Sequence, residues 1–199
     1  MLQDTATERL DNDQREAVNK IVAESNRMSL LISDLLKLSR VGSQELKLET
    51  VNLSITAQVV FQDLMISMNL KNKERFDFTV QPEMTAIADP GLMRVLFDNL
   101  IGNAIKFSSK TQNASILIGS FTQKDEIVFF VKDNGAGFKR EKAERIFEPF
   151  TRFHSPKDFP GTGIGLSIVR KIIERHHGRI WVESEINKGT TFYFTISEG

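Results

Sequence analysis

The sequence predicts an α+β fold, a two-layer α/β sandwich preceded by an N-terminal bundle helix. Three observations carry that prediction. A wide apolar stripe at helical spacing fills residues 11–40. Three pairs of short, strand-like segments bracket turn-forming residues, and helical patterns lie between them. One antiparallel-rich sheet with helices on one side accounts for this order.

The first element runs from Asp11 to Arg40, with Asp11 and Gln14 spaced as a capping pair. Val18, Ile21, Val22, Ser25, Met28, Ile32 and Leu35 follow at helical intervals, Leu31, Leu36 and Leu38 widen the stripe, and Gly42 is the expected stop. Such a helix either packs on the main domain or forms one strand of a helical bundle. The width of the stripe and the break at Gly42–Ser43 favour the bundle, dividing the chain into 1–42 and 43–199. Beyond the break, 46–53 reads as a strand and 54–69 as a helix. "RFDFTV" and "MTAIA" read as strands flanking a turn at Gln81–Pro82–Glu83. Asp89 followed by Pro90 marks a helix start, as N-cap and first helical residue. "ASILIGSFT" and "EIVFFVKD" form a hairpin about Gln123–Lys124–Asp125. An irregular stretch, 134–163, holds a short helix near Arg140–Phe147. A helix from about Ile164 to His176 then stops at Gly178, and "RIWVES" with "TTFYFTIS" makes a second hairpin.

Composition narrows the possible functions. Hydrophobic residues make up 40% of the 199, enough for a real core. Lys plus Arg equals Asp plus Glu at 26 each, so no general charge points to nucleic acid or an anionic membrane. The absence of cysteine excludes disulfides, Zn–Cys sites and thiol catalysis. No apolar run approaches the roughly 20 residues of a membrane span, and the polar, acidic start does not resemble a signal peptide. A cytoplasmic setting is the default expectation, for a parent protein either soluble or membrane-anchored.

Three segments are chemically unusual. Positions 92, 96, 99, 103 and 106 share one helical face, which begins with Leu92 and Leu96 and then turns to Asn99, Asn103 and Lys106. Asparagine oxygens suit Mg²⁺ and a lysine suits phosphate; taken alone, the pattern equally fits a solvent-exposed helix end. Next, the apolar strand "VFFV" runs into Asp133, with Gly135 and Gly137 beyond it. An aspartate there can accept from an exocyclic amine while glycines admit a flat ring, although Asp-Asn-Gly is also an ordinary turn. Lastly, Gly161, Gly163 and Gly165, with Thr162 between, precede an apolar helix whose free N–H groups suit phosphate. The spacing is neither that of a Rossmann motif nor that of a P-loop.

In combination, "NLIGNAIKF", "DNGAGF", "IFEPFTRF", "GTGIGL" and "KGTTFYFT" resemble the ATP-binding domain of sensor histidine kinases, a relative of the Hsp90-type ATPase fold, over about Leu46 to Ser197. "RMSLLISDLLKLSRV" resembles the second helix of that family's dimerisation and phosphoacceptor hairpin, and "TRFHSPKDFPGTGIGL" is most similar to phytochrome-type kinases. The resemblance implies Mg²⁺ on Asn103, with Asn99 one turn earlier, and Lys106 near the ATP phosphates. It implies Asp133 on the adenine amine, framed by Gly135 and Gly137. It places Gly161, Thr162, Gly163, Gly165 and Leu166 at the mobile lid, Phe147 and Phe150 packing that lid, and Arg152 on the γ-phosphate. A response-regulator receiver domain and a homodimeric parent are the implied partners.

In the related Hsp90 and gyrase ATPases a water-activating glutamate stands at position 99. Asn99 cannot act as a base, and Asp98 lies about 100° round the helix. The expected chemistry is therefore phosphoryl transfer to another nucleophile. None of the three histidines sits in the family's acceptor pattern. His154 falls in the lid, and His176 and His177 read as a helix-end pair favoured by the dipole. The acceptor histidine and its helix are thus expected outside this chain, leaving the stripe of 11–40 either to associate with a second copy or to become partly disordered. Two other functions fit the same motifs: a serine kinase of the anti-sigma-factor type, and a nucleotide-regulated interaction module.

Overall fold

A computed structural model of the chain describes residues 11–67, 76–153, 155, 158–159 and 161–197. Helix α1 (Asn12–Ser43) opens on the expected capping box: Asp11 Oδ1 accepts from the Gln14 N–H at 2.8 Å, and Gln14 Oε1 accepts from the Asp11 N–H at 3.1 Å. Its N-terminal part carries its apolar stripe in solvent, with Ile21 68% and Met28 61% exposed. Its C-terminal part docks, as Leu31, Leu38 and buried Val41 join the core. The helix does not stop at Gly42. It continues to Ser43 because Gln44 closes it onto the Arg40 carbonyl, and Arg175 donates to the carbonyls of Val41 and Gln44. The helix is continuous over Asn12–Ser43, with that stripe left in solvent.

Among the described residues two sheets are present where one was expected. β1 (Glu49–Asn52) pairs antiparallel with β3 (Thr85–Ala88) in a small sheet. The main sheet has the order β2-β4-β5-β7-β6, from β2 (Phe76–Val80), β4 (Ala114–Gln123), β5 (Glu126–Asp133), β7 (Gly189–Phe194) and β6 (Ile180–Glu185). β2 runs parallel to β4 and the other neighbours are antiparallel. The cause lies in the turn at Gln81–Pro82–Glu83. It hands the chain to β1 instead of folding it back, and Ser54 pins it there by donating to the Gln81 carbonyl at 2.7 Å and accepting from the Met84 N–H at 2.9 Å. The β4–β5 hairpin closes on Lys124 and Asp125, both at positive φ (51° and 63°), as a two-residue turn needs when it follows the strand twist.

Helices α2 (Leu53–Ser67), α3 (Pro90–Ser108) and α4 (Gly165–Arg175) form the second layer. The expected end of α2 at residue 69 lies outside the described residues. Strand alternation sets what these helices meet. Ile118, Val131, Phe192 and Val182 form one cross-strand row, and Phe129 and Phe194 belong to the next; all are buried in one core cluster with Leu96, Leu100 and Ile101 of α3. The short helix at Arg140–Phe147 is 3₁₀ and anchors through Phe147, packed edge-on to Phe192.

Asp89 joins three elements at the start of α3. Its Oδ1 caps the Leu92 N–H, its Oδ2 accepts from the Lys47 N–H, and its own N–H donates to His176 Nε2 at 3.0 Å. Burial alone would raise its pKa, but the N–H groups of Lys47, Leu92 and Gly91 hold it below the usual value. His176 is therefore not an exposed helix-end cation. It is buried as the tautomer that donates from Nδ1 to the Ile172 carbonyl at 2.8 Å and accepts at Nε2. The helix ends instead on His177, at φ 52°, with the Gly178 N–H reaching the Ile173 carbonyl. Gly178 is needed for another reason: a Cβ there would lie 1.9 Å from the Thr195 carbonyl oxygen. His176→Ala leaves the buried Asp89 N–H unpaired and is expected to cost about 1–3 kcal/mol, measurable as a lowered denaturation midpoint at pH 7.

Candidate nucleotide site

α3 places its polar stripe along one wall of a cavity of about 210 Å³ between the sheet and the loop ahead of α4. Asn99, Asn103 and Lys106 all line it. Asn99 is committed locally, its Nδ2 donating to the Val95 carbonyl at 2.8 Å, while its Oδ1 abuts Gly165 so closely that a Cβ there would sit 2.4 Å away. Asn103 is half-buried, and among the described residues its amide has no protein partner, leaving its oxygen available to a cation. Lys106 lies 4.4 Å over the Phe107 ring. Burial, and then the neighbouring Arg152, lower its pKa to about 8, as expected for a cation awaiting an anion. Asp98 faces away from this cavity, among Lys37, Arg94 and Asp63.

Asp133 closes the other part of the cavity. It shares the inward parity of Phe129 and Val131, so the strand that builds the core also delivers a carboxylate to the site. It is 4% exposed, and its Oδ1 accepts from the Gly135 N–H at 2.8 Å. Burial raises its pKa to about 6, against the opposing N–H groups of Gly135 and Thr190. A buried carboxylate with only backbone donors suits a neutral N–H donor such as an exocyclic amine. Gly137 lines the cavity, but its glycine character has a second cause: at φ 57°, its Cβ would lie 2.0 Å from the Glu185 carbonyl oxygen. Gly135 does not line the cavity. It sits against the backbone of Phe107, where a Cβ would meet the carbonyl oxygen at 2.5 Å.

The glycine loop forms the opposite wall, with Gly161, Thr162, Gly163, Gly165 and Leu166 on the cavity. Gly161 and Gly163 take positive φ (152° and 80°). Arg152 braces this loop by donating to the carbonyls of Gly161 at 2.7 Å and Phe159 at 2.8 Å. Of the two lid aromatics, Phe147 packs inward, whereas Phe150 is exposed at φ 65°. His154 lies outside the described residues.

Among the cavity residues that sequence reasoning missed, Thr190 and Asp34 carry the polar contacts that matter most. Thr190 faces Asp133 across the β5–β7 ladder. Asp34 reaches in from α1, where its Oδ2 accepts from the Thr162 hydroxyl at 2.6 Å. Strand pairing alone signals the first. Nothing in the sequence signals the second, which joins positions 128 residues apart.

Residues 88–199, more than half of the chain, match the model of the histidine kinase-, DNA gyrase B- and HSP90-like ATPases. The chain belongs to that family. Residues 1–44 match the His kinase A (phospho-acceptor) domain, as the N-terminal helix led one to expect. Cyanobacterial phytochrome A of Nostoc sp. strain PCC 7120 is 38% identical over 192 residues, covering 96% of this chain and 25% of the relative. The chain thus spans about a quarter of the length of the phytochrome relatives that it matches. Full-length ShkA in complex with AMPPNP is similar at a TM-score of 0.68 and 27% identity, over 96% of this chain and 41% of that one. ThkA in complex with the response regulator protein TrrA is similar at a TM-score of 0.63 and 26% identity, over 96% of this chain and 53% of that one. These likenesses place the family's catalytic portion within the sensor histidine kinases, with the α+β sandwich as its fold. No helix among the described residues is long and apolar enough to cross a membrane.

Proposed function

We propose that the chain binds Mg·ATP in the α3–lid cavity and transfers the γ-phosphoryl group to a histidine outside these 199 residues. The single observation that carries this proposal is the buried Asp133 facing the same cavity as Asn103 and Lys106. One part of the cavity suits an adenine amine, the other a metal-bound polyphosphate. Asp133 accepts from the adenine amine, Gly137 gives the ring room, and the N–H groups ahead of α4 receive phosphate oxygens. Mg²⁺, when bound through Asn103, neutralises phosphate charge. Lys106 is held in its protonated form beside the phosphates, since an anion opposes the burial that lowers its pKa. Arg152, which now braces the lid, exchanges one of its two carbonyl contacts for the γ-phosphate as transfer begins.

In the transfer step an imidazole nitrogen attacks the γ-phosphorus in line, the bond to the β–γ bridging oxygen breaks, and ADP leaves. Water is a poor acceptor because Asn99, held on the Val95 carbonyl, offers no base. The protein divides at about residue 42 into a bundle helix and a catalytic domain. Its parent works in the cytoplasm as a homodimer and passes the phosphoryl group to a response-regulator receiver domain. ShkA was crystallised with AMPPNP and ThkA with a response regulator, and both support these roles. The test is incubation with ATP labelled at the γ-phosphate, with and without an added helix carrying a histidine followed by an acidic residue and a proline. Label that is alkali-stable and acid-labile should appear only on the added helix. Acid-stable label on a serine of a partner protein would overturn this proposal.

A further inference from the structure

The cavity has two carboxylates, and they serve different walls. Asp133 holds the end of β5, whereas Asp34 belongs to α1 and reaches the glycine loop. Within its own helix Asp34 makes, among the described residues, one long ion pair, with Lys37 at 3.8 Å. It accepts instead from the Thr162 hydroxyl, whose oxygen in turn receives the Ile164 N–H at the entry to α4. That hydroxyl has one proton to donate. In the proposed function, the same loop and the same N–H groups receive phosphate oxygens. A carboxylate and a phosphate cannot both take the Thr162 proton, and they repel one another across a partly buried gap.

We propose that Asp34 and the phosphates of a bound nucleotide compete for Thr162 and the entry to α4, so that docking of α1 on the lid opposes filling of the site by a triphosphate. This inference rests on the nucleotide reading above and adds a coupling between helix and site. Linkage makes the coupling reciprocal: ATP loosens α1 from the lid as much as the docked helix weakens ATP. The opposition grows with phosphate charge, so it weakens ATP more than ADP and leaves adenosine almost untouched.

Two substitutions separate charge from contact. Asp34→Asn keeps an oxygen for Thr162 and removes the charge, while Asp34→Ala removes both. With Mg²⁺ present, calorimetry on Asp34→Asn is expected to show ATP bound about 5-fold more tightly, or better, and adenosine changed by less than about 2-fold. Because the chain has no cysteine, a nitroxide pair at Ser25→Cys and Thr122→Cys reports helix docking by pulsed distance measurement. Mg·ATP should lengthen that distance in the protein with Asp34, and Asp34→Ala should lengthen it without nucleotide. Unchanged ATP affinity in Asp34→Asn, beside normal binding by the parent chain, overturns this inference alone. Weaker Mg-dependent binding overturns it too and makes Asp34 a group that holds the metal. Failure of the parent chain to bind either ATP or adenosine removes the nucleotide reading and this coupling with it.

Discussion

Asp133→Asn is expected to weaken ATP binding roughly 10- to 100-fold and, at neutral pH, to make the ligand-free protein more stable. Both effects have one cause. The Asp133 carboxyl is buried with backbone donors alone, and burial raises its pKa to about 6 from a usual value of 3.8. A raised carboxyl pKa means that the folded protein holds a proton more tightly than the unfolded chain. Above about pH 6 both states are ionised and the folded state carries the full cost of a buried charge. As pH falls from 6 towards 4 the folded state takes up its proton first, so this cost is relieved and stability rises. Asparagine removes the charge and should return about 1–3 kcal/mol at pH 7. It also replaces a charge-assisted acceptor by a neutral one, about half as strong, hence the lost affinity. The same linkage gives ATP binding by the parent chain a pH dependence. Affinity should fall below pH 6, by up to about tenfold per unit, and the fall should flatten in the asparagine variant. Urea denaturation without ligand and calorimetry with Mg·ATP from pH 5 to 8 check both halves. Reduced stability together with unchanged affinity would show that Asp133 serves the fold and not the site.

Much of this site could be read in the sequence, for a reason visible in Asn99, Asn103 and Lys106. They lie on one helical face, and a helical face is local information. The same holds for Asp133, whose strand parity follows from the alternation of Phe129 and Val131, and for Asp89, announced by Pro90 beside it. What was not legible depends on contacts between distant segments. The pairing of β2 with β4 and of β1 with β3 depends on Ser54 gripping a turn about 30 residues away. His176 looked like a helix-end cation because nothing local reveals that Asp89, 87 residues earlier, donates to it. Asp34 was invisible as a site residue for the same reason, since its place in α1 predicts only a solvated face. Glycines mislead in a related way. Gly135 and Gly137 read as room for a ring, yet Gly135 admits the Phe107 backbone instead, away from the cavity, and Gly137 admits that of Glu185 as well as lining the cavity.

That double use of glycine is sharpest at Gly189, where the largest structural effect is expected. Gly189 opens β7 at φ 101°, a conformation that side chains rarely adopt. A Cβ there would lie 1.9 Å from the Asp133 carbonyl oxygen and 2.7 Å from Asn134 Cα. Neither is the end of a flexible side chain, so the backbone of β5 or β7 must move. Gly189→Ala is therefore expected to cost about 3 kcal/mol or more, the sum of a strained φ and a backbone clash. The loss does not stop at stability. The displaced atoms adjoin Asp133, the proposed acceptor of the adenine amine, and Thr190, beside Gly189, donates its N–H to that carboxylate. ATP affinity should fall along with the denaturation midpoint, even under conditions where the variant remains folded. Gly102→Ala supplies the contrast, on α3 between Asn99 and Asn103. A Cβ there meets nothing within 4 Å, so this substitution should raise stability by about 0.5–1 kcal/mol through helix propensity alone and leave ATP binding intact. If both alanine variants bind ATP like the parent chain, Gly189 is only a turn residue, and the tight approach of β7 to Asp133 does not hold the carboxylate in place.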